Sequence, residues 1–396
     1  MDRFIPLSIP NFEGNEKKYV DDALEQGWVS TGGAYISRLE NDLASFIGAE
    51  DVAACQSGTA AIHLALVDCG VKPGDMVIVP TLTFIAAVNP VKYQCAEPVF
   101  MDCDDSLCID PDKLRKFCEE ECELKNILGE ESDDIGLVHK NTGRHVKALI
   151  VVHVFGNMAD MEQIMDIART YHLVVIEDST EALGTYYTEG KYEGMYAGTI
   201  GDYGAYSFNG NKIITTGGGG AVTAKNFERV KHMRYLSTQA KDDSHYYIHN
   251  EVGYNYRMTN LQAALGVAQM EELPEFINRK NNNYDLYCDQ FKNFELAKLI
   301  GFRKQTNSNK WFYSLEIDLE KSKKGLRDII KLLQDRGIQT RAIWGLIHEQ
   351  KPYESAIAYK IEKAVSYSKK VINIPCSTQL KKEDIEYVVK QIYEVV

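Results

Sequence analysis

Leu173-Val174-Val175-Ile176-Glu177-Asp178 is a run of four apolar residues closed by two acids. A continuous run of this kind reads as a strand buried on both faces, as in a parallel sheet, and it carries Asp178 to the strand's carboxyl end. Further along, Tyr206-Ser207-Phe208-Asn209-Gly210-Asn211-Lys212 leads into Ile213-Ile214-Thr215-Thr216 and four glycines, Gly217 to Gly220. Other runs share the texture. Met76–Pro80 follows Pro73-Gly74-Asp75, and Leu149–Val154 precedes Gly156-Asn157 and a helical stretch, Met161–Tyr171. Tyr203–Phe208 is a fourth. Such strands separated by helices imply an α/β fold with a mainly parallel central sheet covered on both faces. Ligands of these sheets gather at the carboxyl ends of the strands, where His153, Asp178 and Ser207 fall.

At 396 residues the chain suggests two or three domains. After Gly266 the texture changes. Leu273-Pro274 is expected to break a helix, Trp311–Ile317 reads as a strand, and Gly325–Arg336 is amphipathic. We expect a large domain over residues 1–265, opened by an N-terminal arm, and a smaller α+β domain over 266–396. Residues 116–145 are polar and weakly periodic, which predicts a short helix followed by a solvated insertion. Net charge is −13, which argues against a nucleic-acid partner. Nine scattered cysteines, an odd number, point to a reducing cytoplasmic compartment. Cys118 and Cys122 lack the second ligand pair that a zinc site needs, so no metal is expected. No signal peptide and no membrane-spanning run is read in the sequence.

Gln56-Ser57-Gly58-Thr59-Ala60-Ala61-Ile62-His63 opens an apolar helix. Ser57, Gly58 and Thr59 there suit either an anion on free helix amides or an ordinary cap. His63 reads as a satisfied core residue. Phe84, just past the Met76–Pro80 strand, fits stacking on a planar ligand or plain core packing. A buried Asp178 requires a partner; a protonated pyridine nitrogen, a structural salt bridge and a helix N-cap each supply one. Ser207 and Lys212 can grip opposite ends of one small ligand, unless the lysine merely decorates a surface turn. A lysine able to form a Schiff base and an acid at a strand tip are two things that pyridoxal 5'-phosphate (PLP) requires. The glycine run follows the lysine, so it is not a Walker loop, and Val222 stands where G-x-G-x-x-G needs its third glycine. That counts against a nicotinamide oxidoreductase.

In order and spacing these motifs resemble the DegT/DnrJ/StrS family of sugar aminotransferases. The series includes S-G-T-A-A-I-H-L-A-L, P-T-L-T-F, E-D-S-T-E-A-L-G, S-F-N-G-N-K-I-I-T-T-G-G-G-G and G-Y-N-Y-R-M-T-N-L-Q-A-A-L-G. The resemblance implies PLP-dependent transferase fold type I and a homodimer with active sites at the subunit interface. Lys212 would be the Schiff-base lysine and Asp178 the partner of the pyridinium. Gly58, Thr59 and Ser207 would hold the phosphate, with Asn255 reaching it from the neighbouring subunit; Ser57, Asn209 and Glu181 would be further cofactor contacts, and Phe84 would stack on the ring. Glu181 stands where many members have glutamine or histidine. An acid there resembles the branch acting at C4 of 4-keto-6-deoxy sugar nucleotides.

Within that branch, N-G-N-K-I-I-T-T, S-N-K-W and the Thr340–His348 segment resemble enzymes of bacillosamine and legionaminic acid synthesis. The implied substrate is a nucleotide-linked, UDP by preference, 2-acetamido-4-keto-2,6-dideoxyhexose, with L-glutamate as amine donor. A GDP-perosamine synthase is the near competitor, and a non-catalytic regulator on the same fold is the competitor of another class. Tyr246, Tyr256, Arg257, Trp344 and His348 are the expected sugar-nucleotide contacts.

Overall fold

A computed structural model describes residues 3–127, 134–243 and 245–396. Among them, ten strands form one sheet. Its centre is parallel: Glu97–Met101, Met76–Pro80, His145–Val152, Val174–Asp178 and Tyr203–Ser207 lie side by side in that order. Gly220–Ala224 and then Ala53–Cys55 close one side in antiparallel pairing. The interior strands are almost wholly buried, which accounts for their unbroken apolar runs. Register sets Val152, Asp178 and Ala205 abreast at the carboxyl ends. The helix Gly58–Asp68 packs on Tyr203–Ser207 and Gly220–Ala224, bringing its N-terminus to the same rim.

A second sheet has four strands, ordered Ala297–Leu299, Tyr313–Ile317, Val371–Ile374 and Arg341–Ala342. The chain also returns to the large sheet, where Ile357–Tyr359 pairs in parallel with Glu97–Met101.

Two expectations need correction. Pro274 does not break its helix, which runs from Asn260 to Phe291. Proline removes one backbone donor. Here a Thr259–Gln262 capping box fixes the start, and Leu273 and Phe276 are buried where the helix packs on Glu16–Glu25 and Ala34–Ile47. The polar stretch after residue 116 is not simply a helix and a solvated insertion either. Helix Pro111–Glu121 runs into the strand Cys122–Asn126, which pairs with Ile135–His139 and so joins the large sheet. Leu137 and Val138 supply the buried side chains that hold it. The part of the insertion over 128–133 lies outside the described residues.

Among the described residues, no helix is long and apolar enough to cross a membrane. No group of three or more histidine, cysteine or acidic side chains among them could hold a metal.

Candidate active site

The carboxyl ends of the central strands open into a cavity of about 750 Å³. Ser57, Gly58 and Thr59 line it from the helix N-terminus, Asp178, Thr180 and Glu181 from the strand end, and Ser207, Asn209 and Lys212 from the next turn. Phe84 and Trp344 face it as well. Phe84 is 55% exposed, so plain core packing is ruled out for it. Ser57 does cap its helix, accepting from the Ala60 amide at 3.0 Å, which leaves the amides of Gly58 and Thr59 at the open first turn. Gly58 is required by close approach: a Cβ there would stand 2.7 Å from Thr180 Cγ2 and 3.0 Å from Ser207 Cβ.

Asp178 is buried, its Oδ1 accepts the Thr180 amide at 3.1 Å, and burial pushes its carboxyl above the usual range. No ion pair reaches it among the described residues, so the structural salt bridge is not its partner. Glu181 is also buried. Its Oε2 accepts the Phe155 amide at 2.8 Å, and its Oε1 lies 3.6 Å from Lys212 Nζ. Burial pushes Glu181 up to about 7, opposed by Lys212 and the Phe155 amide. Lys212 Nζ also sits 4.1 Å from the centre of the Trp311 ring. The lysine is therefore not a surface group: it is enclosed between a carboxylate and an indole face.

Residues 10–393 match the DegT/DnrJ/EryC1/StrS aminotransferase family. The chain belongs to that family. It is a PLP-dependent sugar aminotransferase. It is 33% identical over 392 residues to the GDP-perosamine synthase of Escherichia coli O157:H7, an alignment covering 99% of this chain and 98% of the relative. The fold matches that of PseC from Helicobacter pylori, an aminotransferase of pseudoaminic acid biosynthesis, with a TM-score of 0.85 at 20% identity over 99% of each chain. It also matches the PLP form of Spr1654 from Streptococcus pneumoniae, with a TM-score of 0.84 at 24% identity, covering 99% of this chain and 98% of that one.

The aminotransferase site fits PLP on its own chemistry. Helix amides and Ser207 suit a phosphate, the cation-poor Asp178 suits a protonated ring nitrogen, and an enclosed lysine suits a carbonyl.

Tyr246, Tyr256, Arg257 and His348 do not line this chain's own cavity. Arg257 is buried in a two-pronged ion pair with Glu40, and also reaches the Ala54 carbonyl at 3.2 Å. It is spent on bracing the strand that leads to Ser57. Tyr256 stacks on Tyr254 at 5.1 Å and meets His63 Nδ1 through its hydroxyl at 3.1 Å. His348 Nδ1 lies 2.6 Å from Thr81 Oγ1, and neither residue lines the cavity. Tyr246 is 79% exposed and does not line the cavity. Asn255 accepts from Gln239 at 3.1 Å, away from this chain's own cavity. His63 is a satisfied core residue, bonded also to Gln94, and burial pushes its imidazole down to about 4. His153 points away from the site: its Nδ1 accepts the Ala159 amide, so Nε2–H donates to Glu177 at 2.8 Å.

The structure adds groups that were not singled out. Asn309 donates to the carbonyls of Glu181 and Leu183 and accepts the Trp311 amide, so it locks the indole to the Glu181 turn. Phe155 adopts φ +56°. That uncommon conformation aims its amide at Glu181 and its ring at Trp344, 4.4 Å away. The S-N-K-W motif marked the first neighbourhood; nothing in the sequence marked the second.

Proposed function

We propose that the chain moves the amino group of L-glutamate to the C4 ketone of a nucleotide-linked 2-acetamido-4-keto-2,6-dideoxyhexose, with UDP as the preferred nucleotide. The products are 2-oxoglutarate and the 4-amino sugar nucleotide. The observation that carries the C4 assignment is Glu181, an acid facing Lys212 at 3.6 Å where many relatives of the family have glutamine or histidine. The N-acetyl sugar is supported by the S-N-K-W and Thr340–His348 segments, whose Trp311, Arg341 and Trp344 line the cavity.

Bound PLP supplies an electron sink that lets one amino group leave the donor and later join the ketone. The chain's own residues do the rest. Gly58, Thr59 and Ser207 would hold the phosphate, Asp178 would keep the ring nitrogen protonated, Phe84 would cover the ring, and Lys212 would hold the carbonyl. The Lys212 amine would also take a proton from the donor's Cα and give one to sugar C4, a general acid–base role worth about 10²–10⁴-fold. A homodimer would bring Asn255 of the second copy to the phosphate end.

A second reading, GDP-4-keto-6-deoxymannose as acceptor, is supported by the full-length likeness to GDP-perosamine synthase. Holoenzyme exhausted with L-glutamate and freed of donor should convert UDP-2-acetamido-4-keto-2,6-dideoxyglucose to its 4-amino product, read by mass spectrometry. Product from the GDP sugar alone would establish the second reading. Product from neither removes the C4 assignment, and no 2-oxoglutarate in the first stage removes the donor.

A further inference from the structure

Lys280 has no place in the chemistry above, yet it is a fully enclosed cation. It sits on helix Asn260–Phe291 at 3% exposure, and no carboxylate pairs with it among the described residues. Its Nζ donates to two backbone carbonyls, Trp311 and Cys376, at 2.7 Å each. Beside these carbonyls lies the Tyr313 ring, 5.5 Å from its Nζ; an interior ammonium without a carboxylate is costly, and a methionine would fill the same space without that cost. What only the ammonium does is hold two carbonyls from different segments at one point.

One of those carbonyls belongs to the residue that encloses Lys212. The Trp311 amide donates to Asn309 Oδ1 at 3.0 Å, and its Nε1–H donates at 2.8 Å to the carbonyl of Asn211, the residue before Lys212. Its ring stacks on Phe312 at 4.0 Å and presents a face 4.1 Å from Lys212 Nζ. An indole face attracts an ammonium, most strongly where water is excluded. Trp311 therefore touches both the amine and the peptide of the lysine, and Lys280 fixes the backbone from which it reaches.

We propose that Lys280 is a positioning residue for Lys212, acting through Trp311: it holds the indole in place as the resting surface of the free lysine ammonium. This rests on the reading of Lys212 as the reactive lysine. Without Lys280 the indole drifts, and Lys212 Nζ, left with Glu181 at 3.6 Å as its remaining neighbour, is less enclosed and more open to a reagent. Loss of one such partly desolvated contact, between the exposed and the fully dry limits, corresponds to about a three- to tenfold change.

The test is acylation of Lys212 in the apoprotein by a neutral reagent, N-acetoxysuccinimide, followed across alkaline pH by peptide mass spectrometry. Lys280→Met, Trp311→Leu and the double variant are compared with the wild type. We expect labelling to rise about three- to tenfold in each single variant, with no further rise in the double, as required of two residues acting through one contact. Lys280→Met labelled at the wild-type rate, even if it melts at lower temperature, overturns the proposal. So does a double variant whose effect is the product of the two singles. If Lys280→Met does not fold, Trp311→Leu carries the test: wild-type labelling there overturns the proposal, and a rise supports it. Lys212→Ala holoenzyme is measured alongside. Undiminished transamination by that variant would remove the catalytic reading of Lys212, while the labelling result in the apoprotein would stand apart.

Discussion

Glu181 Oε1 stands 3.6 Å from Lys212 Nζ while Oε2 is held at 2.8 Å by the Phe155 amide. Burial pushes this carboxyl from 4.5 up to about 7. Across that window the native chain holds a proton that the unfolded chain has released, so native stability falls as pH rises through it. Glu181→Gln removes the dependence. Relative to wild type, the variant apoprotein should gain stability between about pH 5 and pH 8, on the order of 3 kcal/mol at the upper end. Denaturant midpoints across that range decide it; parallel curves for the two proteins would mean that Glu181 is ionised throughout.

Asp178 is buried, and no ion pair reaches it among the described residues. Asp178→Asn keeps the shape and removes the charge offered to a ring nitrogen. Removing one partner of a buried ion pair costs about 3–5 kcal/mol, so cofactor retention and turnover should drop by roughly a hundredfold or more. Titration of the apoprotein with PLP, followed in the visible spectrum, measures the first. An unchanged affinity together with unchanged turnover would reject Asp178 as the ring's partner.

These site groups were legible because each ends a motif with its own local logic. An apolar run must be a buried strand, so Asp178 had to lie at a strand tip; a Ser-Gly-Thr before an apolar helix had to lie at its N-terminus. Pro274 was misread because proline's local cost is real, and only packing from Leu273 and Phe276, invisible in a linear pattern, outweighs it. The ion pair of Arg257 escaped the sequence for a related reason. Its partner Glu40 lies 217 residues away, and no spacing rule connects them. Trp311 showed as the start of a strand, but its position over Lys212 depends on Asn309, Asn211 and Lys280 converging from three segments.

Gly58 is held by sterics rather than by a turn. The Cβ of Gly58→Ala would lie 2.7 Å from Thr180 Cγ2 and 3.0 Å from Ser207 Cβ. The first is closer than real Cβ contacts come and the second is tighter than most, so the helix N-terminus must back away from Thr180 and Ser207. Phosphate affinity should fall about tenfold, the loss expected for one weakened charge-assisted hydrogen bond. The melting temperature of the apoprotein should change far less. Wild-type affinity for PLP in this variant would mean that the amides of the helix and Ser207 do not act together.

Glu177, beside Asp178 in the sequence, is held entirely by donors. Oε1 accepts the amides of Ile200, at 2.7 Å, and Gly201; Oε2 accepts the Gly198 amide at 2.9 Å and His153 Nε2–H at 2.8 Å. All four partners are donors, so only an acceptor with two oxygens satisfies them. They also tie the strand that carries Asp178 to the turn entering Tyr203–Ser207, and so fix the two ends of the site relative to each other. Glu177→Gln must turn an NH₂ toward two of these donors whichever way its amide lies. Each donor left unpaired costs about 1–3 kcal/mol, which for two donors predicts a loss of about 2–6 kcal/mol in unfolding free energy from denaturant titration. Cofactor affinity should weaken with it, although Glu177 does not line the cavity. Undiminished stability in Glu177→Gln would show that this network does not hold the two strand ends together.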